Sequence, residues 1–198
     1  MTTAVRPARI DDAPTLDGVL ADAFFDDPIN VHLVPDEARR DAALRRGMGH
    51  VLRQAYLPNA GAWTTAELDG VALWGKPDDP KPSLLEQLRQ LPTFAAAFGR
   101  HLPRAMRAFG TVEKRRPSEP HWFLDLLAVR PDRQGRGIGS ALVTSALAET
   151  DRTGVPAFLV TSNDRNVPFY ERLGFKVTEE YDIGAVHVWA MLRGRDAD

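Results

Sequence analysis

Apolar positions recur along the chain with two periods, and the points where the period changes mark out the elements. A short strand is expected over Val5–Ile10, with Pro7 at an edge position. Leu16, Val19, Leu20, Ala23 and Phe24 then fall at helical spacing behind Asp11 or Asp12 as cap, and Pro28 ends that helix. A second helical stripe runs through Ala43, Leu44, Met48, Val51, Leu52 and Ala55, from Asp36 or Glu37 to the stop at Pro58–Gly61. Residues 62–67 and 71–75 read as a hairpin turning at Leu68-Asp69-Gly70. A loop, Pro77–Pro82, precedes a capping box at Ser83 and Glu86. Helices are expected from about Ser83 to Leu91 and from about Thr93 to Glu113, with breaks near Pro92 and Pro103.

The second half of the chain is more sharply punctuated. After a polar linker, Lys114–Pro120, the run Leu124–Val129 carries one carboxylate, Asp125, and reads as a buried strand bounded by Pro131. Ile138, Ala141, Leu142 and Ala146 open a helix inside a glycine cluster, and Gly154 stops it after about Arg152. Ala157–Thr161 is an uninterrupted apolar strand, as a central parallel strand should be. A further helix starts at Asn166 or Val167, with Pro168 in its first turn, and ends at Gly174. Phe175–Tyr181 and Ala185–Met191 read as a closing antiparallel pair, and Arg193–Asp198 as a disordered tail. This order, with one βαβ unit among mostly antiparallel neighbours, predicts a mixed α/β fold.

The strand-to-helix turn Arg130–Gly139 is where chemistry is expected. Glycines let a backbone approach a ligand closely, and a helix N-terminus offers unpaired N–H groups and partial positive charge. Together they suit a phosphate or pyrophosphate. A plain tight turn is the alternative. Gly135, Gly137 and Gly139 do not follow the G-x-G-x-x-G spacing of a dinucleotide site, and no Gly-Lys-Ser/Thr follows for a Walker A loop.

Val129-Arg-Pro-Asp-Arg-Gln-Gly-Arg-Gly-Ile-Gly139 resembles the acetyl-coenzyme A signature Q/R-x-x-G-x-G/A of the GNAT N-acetyltransferase superfamily, with Gln134, Gly137 and Gly139 on its defined positions. Asn163, then Tyr170 seven residues later, then Gly174-Phe175 resemble a second block of that family. The wording from about His121 to Thr178 is similar to the puromycin N-acetyltransferase branch. The resemblance implies a GNAT fold: a mixed central sheet flanked by helices, whose two middle strands, about 122–129 and 157–161, splay apart around the pantetheine arm. It implies one domain over residues 1–198, with a helical insertion at about 83–113.

Composition narrows the partners. A net charge of −2 and scattered arginines give no electrostatic case for nucleic acid or an anionic membrane. The absence of cysteine excludes disulfides, thiolate metal sites and a cysteine nucleophile, and five scattered histidines give no metal spacing. With no signal-peptide pattern and no run of roughly 20 apolar residues, a cytoplasmic protein is expected, as monomer or homodimer.

The resemblance implies acetyl-CoA as cosubstrate, with no metal, and a small-molecule primary amine as acceptor. It assigns the pyrophosphate to backbone groups of Gln134, Gly135, Arg136, Gly137, Ile138, Gly139 and Ser140. It assigns the pantetheine arm to Leu127 and Val129, and the thioester oxygen to an N–H near Leu127 or Ala128. Tyr170 matches the family's usual general acid. A neutral phenol with an ordinary pKa of about 10 can protonate a departing thiolate at about pH 7–8. Asn163 would contact cofactor or water, and Asn166 is shared with the puromycin branch unless it caps its helix. Asp125 is the candidate base, because burial raises a carboxyl toward a useful pKa. An ion pair with an arginine, or a water relay, is the alternative. Many relatives read Leu-Glu-Thr-Ser where this chain reads Leu159-Val160-Thr161-Ser162, so any role of that glutamate is absent. The acceptor's walls are expected from Phe24–Val31, the second helix and the insertion. His32 and His121 are candidates for those walls, although a lone histidine is more often structural. Protein acetylation and non-catalytic acyl-CoA sensing are the competing functions.

Overall fold

The computed structural model describes residues 3–79 and 83–194. Part of the expected Pro77–Pro82 loop and most of the expected tail after Arg193 lie outside them. Seven strands form one sheet: β1 (Val5–Pro7), β2 (Ala62–Thr65), β3 (Gly70–Gly75), β4 (Trp122–Val129), β5 (Ala157–Thr161), β6 (Lys176–Ile183) and β7 (Val186–Arg193), in the order β1-β2-β3-β4-β5-β7-β6. Every neighbouring pair is antiparallel except β4 and β5. That one parallel pair is joined through helix α6 (Ile138–Thr153), the crossover of the predicted βαβ unit.

Both faces of the sheet are covered. Strand β3 shows the alternation: Ala72 and Trp74 pack with Leu142, Val143 and Ala146 of α6, while Val71 and Leu73 pack on the opposite face. There they meet Leu16 and Leu20 of α1 (Ala13–Phe24) and Leu52 after α3 (Glu37–Val51). A third cluster joins α5 (Leu102–Glu113) to Phe158 and Val188 of the sheet's far half.

Three features differ from the sequence reading. Pro28 does not merely stop α1; it is the first residue of α2 (Pro28–Leu33), capped by the Asp27 carboxylate, which accepts from the N–H groups of Ile29 and Asn30. Proline suits a first helical position because its missing N–H would be unpaired there anyway. Helix α4 (Leu84–Phe98) runs through Pro92, which lies on the exposed side where water can serve the carbonyl that proline leaves unpaired. The helical segment breaks instead at Gly99, whose φ of +53° favours glycine, and Pro103 lies in the first turn of α5 (Leu102–Glu113). The second helix ends in a π turn, Leu52–Tyr56, closed by the Leu57 N–H donating to the Leu52 carbonyl at 2.9 Å.

Candidate active site

The middle of the sheet opens where the sequence places the first candidate side chain. Strand β4 pairs with β5 only over Trp122–Leu124, while β5 continues against β7 through Thr161. From Asp125 to Val129, the β5-facing edge of β4 has no strand partner among the described residues. Against β3, Leu73 is opposite Leu126 and Trp74 opposite Leu124, so Asp125 is the extra residue of a β-bulge. The bulge inverts the alternation: Leu124 packs on the α6 side, and beyond it Leu127 and Val129 do so while Leu126 and Ala128 face α1. One inserted residue thus frees the carboxylate from the normal alternation at the point where the strands part.

Beyond the gap, a 3₁₀ turn, Pro131–Arg133, leads into the glycine loop. The Gln134 side-chain amide donates to the Val129 carbonyl at 3.2 Å, tying the loop to the strand end. Gly135 and Gly137 have φ of +74° and +80°, and a Cβ at either would meet nothing within 4 Å. Helix α6 starts behind Gly137 with no side-chain cap, and its first closing bond is from the Ala141 N–H to the Gly137 carbonyl. The N–H groups of Ile138, Gly139 and Ser140 are therefore left for an anion, at the positive end of a sixteen-residue helix. Arg136 is exposed beside them. These features fit a pyrophosphate.

The geometry separates two glycine variants. At Gly139 a Cβ would meet Phe169 at 3.5 Å and Val129 at 3.8 Å, ordinary contacts in a normal helical conformation. Gly139→Val is therefore expected to fold and to weaken CoA binding by about tenfold or more in a calorimetric titration. Gly137→Val must hold a branched side chain at positive φ, and is expected to lose about 1–2 kcal/mol of stability as well. Unchanged CoA affinity in folded Gly139→Val would reduce the loop to a turn.

A cavity of about 390 Å³ lies between the open edge of β4, α2, α3, α4 and α5. Asp125 lines it, and the Tyr56 hydroxyl, brought in by the π turn, donates to Asp125 Oδ2 at 2.9 Å. The helical period read from sequence carries the second helix past Tyr56 as regular α and gives that residue no place at the site. No arginine forms an ion pair with Asp125 among the described residues, so the ion-pair alternative gives way to the tyrosine contact. Burial raises the Asp125 carboxyl above its usual range, opposed by the Tyr56 hydrogen bond and the Arg116 charge.

Tyr170 is 7% exposed and lines the same cavity, its ring edge-on to Phe169 and Phe175. Burial, then the negative charge of Asp27, push its hydroxyl well above the ordinary phenol value, higher than the sequence reading assumed. Leu127 and Asn166 also reach the cavity; Ala128 is buried and Val129 half-buried on the strand behind. Asn163 caps a 3₁₀ turn by accepting from the Arg165 N–H at 3.1 Å. Asn166 makes no side-chain cap and instead donates to Thr161 Oγ1 at 3.4 Å. His32 and His121 are not among the cavity's walls: His121 packs edge-on to Phe158, and the His32 backbone carbonyl accepts from Arg104.

A family model described as Acetyltransferase (GNAT) family matches residues 73–175, from β3 to the end of the Tyr170 block. The chain belongs to the GNAT acetyltransferase family. An uncharacterised N-acetyltransferase of Schizosaccharomyces pombe is 28% identical over 167 residues, which are 79% of this chain and 67% of that protein. Mycothiol acetyltransferase of Streptomyces coelicolor is 43% identical over 61 residues, 29% of this chain and 19% of that one. Among solved structures, a Corynebacterium glutamicum protein described as histone acetyltransferase HPA2 and related acetyltransferase superposes with a TM-score of 0.74 at 25% identity, covering 100% of this chain and 99% of that one. As a GNAT protein the chain is an acetyl-CoA-dependent N-acetyltransferase with a seven-stranded mixed sheet. The family match includes the β4 bulge, the glycine loop and Tyr170 but stops short of α1 to α3, which supply Asp27 and part of the cavity wall. Among the described residues no group of three His, Asp or Glu side chains is arranged to hold a metal, and no helix is long and apolar enough to cross a membrane.

Proposed function

We propose that this GNAT protein transfers the acetyl group of acetyl-CoA to the primary amine of a small molecule, within one domain that carries the 83–113 insertion. The observation that carries the reading is the convergence of Asp125 and Tyr170 on one cavity at the open edge of β4. Asp125 takes the first proton from the acceptor's ammonium, and the freed nitrogen attacks the thioester carbonyl carbon. An N–H of the unpaired β4 edge near Leu127 or Ala128 faces the oxygen as charge develops on it. The C–N bond forms and the C–S bond breaks as Tyr170 protonates the departing sulfur. The amide nitrogen's surplus proton returns to the Tyr170 phenolate, and the proton on Asp125 leaves to solvent. Holding both reactants in one cavity can contribute about 7–11 kcal/mol toward the barrier.

The walls support a small acceptor. The cavity is lined mainly by apolar side chains, whereas a protein tail rich in lysine would favour an open acidic groove. The Corynebacterium neighbour's description names a histone acetyltransferase, and that acceptor class fits these walls less well. A sensor that only binds acyl-CoA would need neither Asp125 nor Tyr170 at the cavity. The sequence wording from His121 to Thr178 supports placement beside the puromycin acetyltransferase branch.

The test is thiol release from acetyl-CoA across a panel of amines, after a thermal-shift check of binding. Acetyl-CoA at a hundredfold excess over Kd is expected to add about 2.7 kcal/mol of stability, and NAD none. Stabilisation by NAD with none by CoA would return a dinucleotide site to first place. Binding without thiol release from any amine would favour the sensor.

A further inference from the structure

The cavity holds a carboxylate that the mechanism above does not use. Asp27 precedes α2, and it caps that helix while reaching across to the end of β5. Its Oδ1 accepts from the N–H groups of Ile29 and Asn30, from Asn30 Nδ2 at 3.3 Å and from Ser162 Oγ at 3.0 Å. Among the described residues its Oδ2 accepts only from the same Ser162 hydroxyl, at 2.9 Å, whose one proton the two oxygens share, and so keeps acceptor capacity. No arginine, lysine or histidine pairs with Asp27 among the described residues; its neighbour Asp26 is the one within 4.0 Å of Arg40. A carboxylate withdrawn from water without a cation is costly, and a cavity on which it borders is where a cation can complete it. The Glu of the Leu-Glu-Thr-Ser wording is Val160 here, so β5 brings no carboxylate of its own at that position.

Part of the same cavity's lining is aromatic. Phe94 and Phe98 of α4 and Phe109 of α5 lie within about 6 Å of one another, with ring centroids 6.3, 6.1 and 5.8 Å apart. Phe24 and Phe123 line the same cavity. The remaining cation on the wall, Arg116, is taken up by Glu113 at 3.1 Å and by the face of Phe123.

Resting on the acetyl-transfer reading above, we propose that the acceptor is an arylalkylamine-like molecule. Its ammonium is received by Asp27, which lines the same cavity as Asp125, and its ring lies against the phenylalanines of α4 and α5. Asp27 is a binding and positioning residue: it holds the nitrogen while Asp125 takes the proton. A linear diamine fits poorly, because its second ammonium would lie among rings with no unengaged carboxylate beside it.

Steady-state thiol release with 2-phenylethylamine, ethylamine and 1,4-diaminobutane tests this. The kcat/KM for 2-phenylethylamine is expected to exceed that for ethylamine by about 10–200-fold, the range set by burying one ring. Phe94→Ala should shrink that preference by lowering kcat/KM for 2-phenylethylamine more than for ethylamine, and an unchanged ratio would overturn the aromatic acceptor. Asp27→Asn keeps a good helix cap, so the fold is retained. It should raise KM for 2-phenylethylamine about 10–100-fold, while neutral 2-phenylethanol inhibits the variant and the parent equally. Weaker inhibition by the alcohol in Asp27→Asn would make Asp27 a structural cap and overturn the assignment, as would an unchanged KM. Thiol release with ethylamine or the diamine, but not with 2-phenylethylamine, would overturn the aromatic acceptor and leave acetyl transfer standing. Acetyl-CoA binding without thiol release from any amine, in these three or in the wider panel, would overturn acetyl transfer itself.

Discussion

Asp125→Asn is expected to lower kcat by about 10²–10⁴-fold while leaving the fold at least as stable at pH 7. The two halves of that expectation have one cause. Burial raises the Asp125 carboxyl above its unfolded value of about 3.9. Between those two values the folded protein holds a proton that the unfolded chain has released. The unfolding free energy therefore falls as pH rises through that window, and above it the cost of keeping the buried charge is fully present. Asparagine has the same shape, still accepts from Tyr56, and carries no such cost. Thermal melts from pH 4 upward should show the parent losing more stability than the variant; Asp27, also raised by burial, contributes equally to both. In kinetics, the acidic limb of the pH–rate profile should flatten in the variant. A folded Asp125→Asn enzyme with normal turnover would transfer the base role to water.

The βαβ centre was legible because its constraints are local. Glycine is the residue best suited to the positive φ at 135 and 137, a continuous apolar run fills a strand covered on both faces, and each leaves a mark within ten residues. The bulge was not legible. Asp125 stood out as a carboxylate in an apolar strand, but its role as the extra residue depends on pairing with Leu73 and Trp74, far away in the chain. Tyr56 was hidden for a related reason. An α-helical reading places it by the 3.6 period, and the π turn at Leu52–Tyr56 changes that direction by one residue. Asp27 was ambiguous in sequence: Asp-Pro is both a stop for the helix before it and a cap for the helix after it. Its bond to Ser162, 135 residues away, decides that it belongs to the cavity. Pro92 misled because exposed helical proline is tolerated when flanking side chains, here Phe94 and Phe98, hold the helix by packing.

Tyr170→Phe is expected to lower kcat by about 10²–10⁴-fold with CoA affinity and melting temperature nearly unchanged. The ring carries the packing against Phe169 and Phe175, and phenylalanine keeps it. The hydroxyl makes no hydrogen bond among the described residues, so removing it takes no folded-state partner away. A loss of turnover at constant stability then reports chemistry and not structure. Burial and the nearby Asp27 charge move the phenol well above 10, so it stays protonated throughout the range in which the enzyme can be assayed. The fall of activity at alkaline pH, if one is present, must then come from another group, and the alkaline limbs of parent and variant should run parallel. The raised value also makes the phenol a weak acid against a free thiol of about 8.5, so full proton transfer before C–S cleavage is unfavourable. The proton must move as negative charge builds on sulfur, and a solvent deuterium isotope effect on kcat, present in the parent, should shrink in Tyr170→Phe. If the variant kept both its turnover and its isotope effect, water would be the acid, and Tyr170 would serve only to shape the cavity wall.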